Sequence, residues 1–232
     1  MAKENLKITI GIPTKGWCDS SFAYGYGEIM VATLAHGHEV QPIFSVGSLI
    51  DVGRNRIVAK MMGDYLFFLD DDTLPPAEVI IKLLVHKKDI VTALYFNRQA
   101  PYQPQIYLKN KENSERYDAI QDYQGLMEVD GCGLGACLIK KTVFDKLVKP
   151  YFSVKLSPET GERLMGEDFG FCRAAQDAGF KIYADTDIIC GHIARDVVNE
   201  THWEGSKRRL AHIKEQMGEE KFNKWKKEFR DN

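Results

Sequence analysis

The sequence predicts an α/β fold built on a mostly parallel sheet. Three observations carry that reading. Short β-rich segments alternate with segments of helical periodicity through the first half of the chain. The run YLFFL at 65–69 is continuously apolar, as a strand covered on both faces must be. Caps and breakers also fall where such units need them, with Asp19 or Ser20 before one helix, Gly37 after it, and Pro75 and Pro76 ahead of another.

Residues 6–12 (LKITIGI) predict the first strand, ended by Pro13. A helix follows over 20–36, weakened by Gly25 and Gly27. Residues 39–45 (EVQPIFS) predict a second strand, near an edge because Pro42 has no N–H to donate. Ser48 and Asp51 suit a helix start, and Ile50, Ile57, Val58 and Met61 recur at helical spacing. Beyond Pro75 and Pro76, Val79, Ile80, Leu83 and Leu84 face inward, and Lys87 and Lys88 suit a helix C-terminus. Residues 89–96 form the next strand. Connections of this kind are right-handed, and ligands sit at the carboxyl ends of the strands.

The second half is less regular. Residues 97–125, with Pro101 and Pro104, predict a long functional loop or excursion. Residues 126–130 and 135–140 flank a glycine-rich turn, and Thr142 caps a short helix through Val148. A loop over 151–165, a helix from near Glu167 to Gly179 and a strand over 181–190 complete the core. From 204 the chain predicts a basic amphipathic helix, with Leu210, Ile213, Met217, Phe222, Trp225 and Phe229 on one side and a break at Gly218.

Of 232 residues, 44% are apolar and 28% charged, which excludes a disordered chain. The formal net charge of -2 gives no general attraction to nucleic acid or anionic lipid. Residues 203–232 nevertheless carry nine basic against six acidic side chains. That tail packs on the core as a solvated helix, or contacts a phosphorylated acceptor or a membrane surface. There is no membrane-spanning run and no secretory signal, so a cytoplasmic protein is expected. Five scattered cysteines without a CxxC pair predict reduced thiols rather than zinc or disulfides.

The most informative stretch is DYLFFLDDDTLPP, residues 64–76. Three carboxylates directly after a buried strand repel one another and resist desolvation. A hard divalent cation, Mg²⁺ or Mn²⁺, removes that cost. On an extended chain Asp70 and Asp72 share one side and Asp71 takes the other. Without that setting, the triplet is a solvated turn before a helix.

GSLIDVGRNRIVAKMMGDYLFFLDDDTLPP resembles the donor-binding half of GT-A fold glycosyltransferases, near glycosyltransferase family 2. ITIGIPTKG, VDGCGLGACLIKKTVFDKL and GEDFGFCRAAQDAGFKIYADTDIICGHIAR extend the resemblance over residues 6–195. It implies a single Rossmann-like domain at 1–200 with a mixed central sheet, a donor half (1–96), an acceptor half (97–200) and a C-terminal helical extension. It also implies donor contacts at Pro13, Thr14, Arg54, Asp70, Asp71 and Gly133, and Mn²⁺ or Mg²⁺ held by Asp70, Asp72 and His192. Asp168 becomes the catalytic base, with Glu167 as its neighbour or substitute. The bland alternatives are a strand terminator at Pro13-Thr14, helix capping by the acidic pair and a structural histidine at 192. The segment after the second strand, IFSVGSLIDVGRN, lacks the family's acidic grip on the base, so the nucleotide stays open.

The implied activity is metal-dependent hexosyl or pentosyl transfer from a nucleotide-diphosphate sugar to an acceptor hydroxyl with inversion, retention being the alternative. The acceptor is a lipid carrier, a protein, a small molecule or modified nucleic acid. Two rivals remain: a non-catalytic sugar-nucleotide binder, which needs no acidic pair, and a nucleotidyltransferase. The latter carries a glycine-rich basic loop where this chain has IPTKGWCDS.

Overall fold

The computed structural model describes residues 5–99, 101–113, 116–194, 211–212, 214–219 and 221–224. The chain divides into two units, Met1–Ala194 and Arg195–Asn232. The first begins β1 (Lys7–Thr14), α1 (Ser20–Ala35), β2 (Glu39–Val46), α2 (Ile50–Lys60), β3 (Tyr65–Leu69), β4 (Thr73–Leu74), α3 (Val79–Val85) and β5 (Ile90–Leu94). It continues β6 (Ile106–Lys109), β7 (Tyr117–Ala119), β8 (Leu126–Val129), β9 (Gly131–Cys132), β10 (Ala136–Lys140) and α4 (Lys141–Lys146). It ends with β11 (Lys155–Leu156), β12 (Arg163–Met165), α5 (Glu167–Asp177), β13 (Ile182–Ile189) and β14 (Gly191–His192).

Seven strands form the central sheet in the order β2-β1-β3-β10-β5-β13-β8. β1 runs parallel to β2 and β3, and β13 parallel to β5. β10 lies antiparallel between β3 and β5, and β8 antiparallel to β13. The sheet is mixed and mostly parallel: β2, β1, β3, β5 and β13 run one way, and β10 and β8 run against them. β2, with Pro42, is an edge strand as its composition requires.

Side-chain alternation builds a core on each face. Phe67 and Leu69 of β3 pack with Ile8, Ile10 and Ile12 of β1, Phe22 and Ile29 of α1, and Ile80 and Leu83 of α3. Leu66 and Phe68 point the other way, toward Ile57 of α2, Phe144 of α4 and Phe171 of α5. Asp19 caps α1 by accepting the Ser21 N–H at 2.8 Å, and Gly37 leaves it at φ 87°.

Pro75 and Pro76 precede α3 by a turn, so that helix begins at Val79 and spans only 7 residues. The polar stretch after β5 contains β6 and β7, which join β9 in a three-stranded sheet. The expected loop over 151–165 contains the β11–β12 hairpin. All five cysteines are free, and only Cys18 is exposed.

In the second unit, residues 211–212, 214–217, 219 and 221–224 are helical, with Gly218 at φ 78°. The predicted helix start at 204 and residues Leu210, Ile213, Trp225 and Phe229 lie outside the described residues. Among the described residues no helix is long and apolar enough to cross a membrane.

Candidate active site

Arg54 shares the buried face of α2 with Ile57 and Val58, so the face that packs on the sheet also carries a guanidinium. Its Nη2 donates to Asp70 Oδ1 and Oδ2 at 3.0 and 3.1 Å. Its Nε lies 3.8 Å from Glu167 Oε1, and its cation sits 5.0 Å from the Phe68 ring centroid. Arg163 Nη2 donates to the other Glu167 oxygen at 3.2 Å. The row Asp70, Arg54, Glu167, Arg163 therefore alternates in charge. Burial alone would lower the Arg54 pKa, but Asp70 and Glu167 overcome it and hold it above the ordinary value. Burial raises the Asp70 pKa against the pull of Arg54, with Asp72 adding to the rise. Burial, then the Asp168 charge, raises Glu167.

After β3 the chain turns instead of running on. The Thr73 N–H reaches the Asp70 carbonyl at 3.0 Å, closing a tight turn over Asp71 and Asp72. Extended-chain alternation does not apply there, and all three carboxylates face one cleft. Pro13, Arg54, Tyr95, Arg98, Glu167 and Asp168 line the same cleft, whose volume is about 250 Å³. It lies at the carboxyl ends of β1 and β3, where an α/β sheet places its ligands.

His192 reaches this turn because β14 pairs with β4, setting His192 opposite Thr73. Its Nε2 lies 3.3 Å from Asp72 Oδ1. Its Nδ1 lies 2.6 Å from the Phe96 carbonyl. A carbonyl only accepts, so Nδ1 carries a proton, and a neutral ring turns its Nε2 lone pair toward the carboxylate. Two acceptors so placed need a proton or a cation between them. Without a cation, burial lowers the His192 pKa, but Asp72 and the Phe96 carbonyl more than reverse this, and the net shift is upward. Burial likewise raises Asp72, but His192 and Arg98 outweigh it and hold the carboxyl below its ordinary value. Arg98 Nη1 donates to Asp72 Oδ2 at 2.6 Å.

A carboxylate beside an imidazole whose far nitrogen is pinned to a carbonyl is a donor set that fits a divalent cation. Among the described residues, however, no three His, Cys, Asp or Glu side chains are grouped to hold one unaided. Asp70 is turned to Arg54 with both oxygens.

Pro13 lines the cleft, whereas Thr14 does not and instead accepts the Gly16 N–H at 3.1 Å. Asp168 sits in the first turn of α5, where its Oδ1 accepts the Phe169 N–H at 2.9 Å. Gly133 stands behind Tyr95, and Leu134 is the member of the glycine-rich turn that faces the cleft. Gly131, Gly133 and Gly135 have no positive φ. They make room for rings: a Cβ at Gly133 would overlap Tyr95 Oη and lie 2.8 Å from its Cζ. Gly133→Ala is accordingly expected to cost about 1–3 kcal/mol through overpacking, read as a lower urea midpoint with unchanged slope.

Sequence reasoning missed Tyr95 and Arg98. Tyr95 Oη accepts the Gly135 N–H at 3.1 Å, and its ring meets the His192 ring edge-to-face at 5.4 Å. It reads as one more apolar strand residue. Arg98 follows it into an aperiodic stretch that carries no local signal. Asn55, next to Arg54 on α2, ties that helix to residues 151–152: its Nδ2 donates to the Phe152 carbonyl at 2.7 Å, and its Oδ1 accepts the Tyr151 N–H at 2.9 Å.

No protein-family model matches the chain, and none of the curated proteins does. Solved structures do match. A197 from STIV superposes with a TM-score of 0.57 at 20% identity, covering 82% of this chain and 86% of that one. GalNAc-T7, solved with UDP, GalNAc and Mn²⁺, superposes with a TM-score of 0.55 at 12% identity. That match covers 83% of this chain but 44% of GalNAc-T7, so this chain spans less than half of that protein's length. The likeness is one of fold: the chain has the GT-A fold, with a mixed seven-stranded sheet at its centre.

Proposed function

We propose that the chain is a metal-dependent glycosyltransferase that moves a hexose or pentose from a nucleotide-diphosphate donor to an acceptor hydroxyl, with inversion. The observation that carries this reading is the meeting of Asp72, paired with His192, and Asp168 around one strand-end cleft of a GT-A fold. The neighbour solved with UDP, GalNAc and Mn²⁺ supports the same donor chemistry. Residues 1–96 form the donor half in this reading and 97–200 the acceptor half.

Asp72 and His192 would hold Mn²⁺ or Mg²⁺, which supplies Lewis-acid stabilisation of the departing diphosphate. Arg98, beside Asp72, adds a donor for phosphate oxygens. Arg54 fixes Asp70 with a two-pronged contact, which leaves Asp70 oriented for ribose hydroxyls at the rim. Asp168 takes the acceptor hydroxyl proton as that oxygen attacks the anomeric carbon. The bond to phosphate breaks on the opposite face, and the configuration inverts. Glu167, buried between Arg54 and Arg163, orients the start of α5 instead of meeting the acceptor.

Asp168→Asn tests this directly. Transfer is expected to fall by about 10²–10⁴, the usual worth of a general base, with donor binding retained. Radiolabelled transfer and calorimetric donor titration measure the two. Loss of donor binding would remove the base assignment, and a retained anomeric configuration by NMR would remove inversion.

A further inference from the structure

A second groove, of about 460 Å³, opens where the sheet β7-β6-β9 meets the start of α5. Its apolar wall is a cluster of three half-buried rings. Phe169 lies 4.9 Å from Tyr107 and 4.7 Å from Tyr117, at 68° and 37° between ring planes. Gly131 allows this cluster, since a Cβ there would come within 2.9 Å of the Phe169 ring. Its polar rim carries Arg116 and Arg163 against one carboxylate, Asp118. Asp118 is engaged by Asn110 Nδ2 at 2.8 Å. Arg163 is 57% exposed even while bonded to Glu167, and Arg116 has no carboxylate partner among the described residues.

The groove adjoins the cleft. Gly166 lines the groove, while the next two residues, Glu167 and Asp168, line the cleft. The Asp168 charge also reaches Tyr107, whose phenol is pushed up by burial first and by that carboxylate second. A molecule held in the groove would thus present a hydroxyl beside Asp168. The inclined rings leave no flat slot for a nucleobase. They offer an apolar wall below a cationic rim, which matches the apolar face and polar edge of a sugar ring bearing a negative group.

We infer that this groove is the acceptor subsite and that it takes an anionic sugar, phosphorylated or carboxylated, with Arg116 as a specificity determinant. This rests on the transferase reading, because a groove beside Asp168 is an acceptor site only if Asp168 serves an acceptor.

Calorimetric titration of the full chain with glucose 6-phosphate, glucuronate, glucose and inorganic phosphate tests it, with UDP and Mn²⁺ thermal stabilisation measured in parallel. At least one anionic sugar should bind about tenfold more tightly than glucose or inorganic phosphate, the worth of one charge-assisted hydrogen bond. Which of the two prevails identifies phosphate or carboxylate. Arg116→Ala, at an exposed position, should bring that sugar to the glucose level and leave the UDP and Mn²⁺ response unchanged. Equal binding of glucose, equal binding of inorganic phosphate, no binding of either anionic sugar, or an unaffected Arg116→Ala protein each overturns the inference. If UDP and Mn²⁺ still stabilise the chain in those cases, the donor reading stands and the groove assignment alone falls. If neither UDP nor GDP, ADP, CDP or dTDP stabilises the chain with Mn²⁺, the transferase reading is what fails.

Discussion

Arg54→Met is expected to destabilise the protein by about 3–5 kcal/mol, the usual result of removing one partner from a buried ion pair. Methionine keeps most of the arginine stem and loses the guanidinium over the Phe68 ring, so the loss is chiefly of charge. What remains is electrostatic. Asp70 and Glu167, with side chains 24% and 7% exposed, would share the region without a cation between them. For a domain of this size the loss corresponds to a fall in Tm of roughly 10 °C.

Its pH dependence separates charge from packing. Both carboxyls already have pKa values raised above the ordinary range, so each binds its proton more tightly folded than unfolded. Stability from such a group is present below its unfolded pKa and is lost as pH rises through its folded pKa. Removing Arg54 moves both folded values further up. The penalty should therefore be largest at pH 7 and shrink toward pH 5, as the two groups take up protons. Urea unfolding at both pH values measures this, and Glu167→Gln in the Arg54→Met background should recover part of the loss at pH 7. An equal loss at both pH values, with no recovery, would assign the effect to packing.

That electrostatic row shows how far the sequence could be read. β3 was legible because a continuous apolar run of five residues admits few other structures, α1 because its cap is local, and α2 because of its period, although Leu49 and not Ser48 stands at its N-cap. The acidic run after β3 points to Asp70, and the family resemblance to Arg54 and Asp168, without showing that Glu167 lies between two arginines. That contact joins residues 54, 163 and 167 through tertiary packing alone. β10 was legible as a strand but not as the antiparallel insertion between β3 and β5, since pairing partners leave no mark on a strand's own alternation. The turn over Asp71 and Asp72 is a similar case. Its carboxylates are plain in the sequence, but the reversal that brings all three to one cleft depends on the β4–β14 ribbon, whose strands have two residues each. The glycines of 131–135 read in the sequence only as a turn, whereas the packed rings of Tyr95 and Phe169 explain Gly133 and Gly131.

A functional loss as large as that of the general base is expected at Asp72. Asp72→Asn keeps the shape of the side chain and removes the charge that faces both His192 and Arg98. In the proposed mechanism the ion would be worth several kcal/mol to the departing diphosphate, which corresponds to a loss of about three orders of magnitude in transfer. Folding should change little, because Arg98 is 53% exposed and such pairs contribute up to about 1 kcal/mol. Arg98→Ala supplies the opposite sign. The guanidinium holds Asp72 Oδ2, and its positive charge would oppose a cation on the same carboxylate. Its removal should strengthen Mn²⁺ binding to the donor-free protein several-fold while weakening capture of the diphosphate. Electron paramagnetic resonance of Mn²⁺ titrated into the two variants measures binding apart from turnover. Lost binding in Asp72→Asn beside gained binding in Arg98→Ala would make Asp72 the ligand and Arg98 its competitor. Full transfer by Asp72→Asn with Mn²⁺ present would leave the acidic turn without a metal-holding role, and with it the mechanism built on that turn.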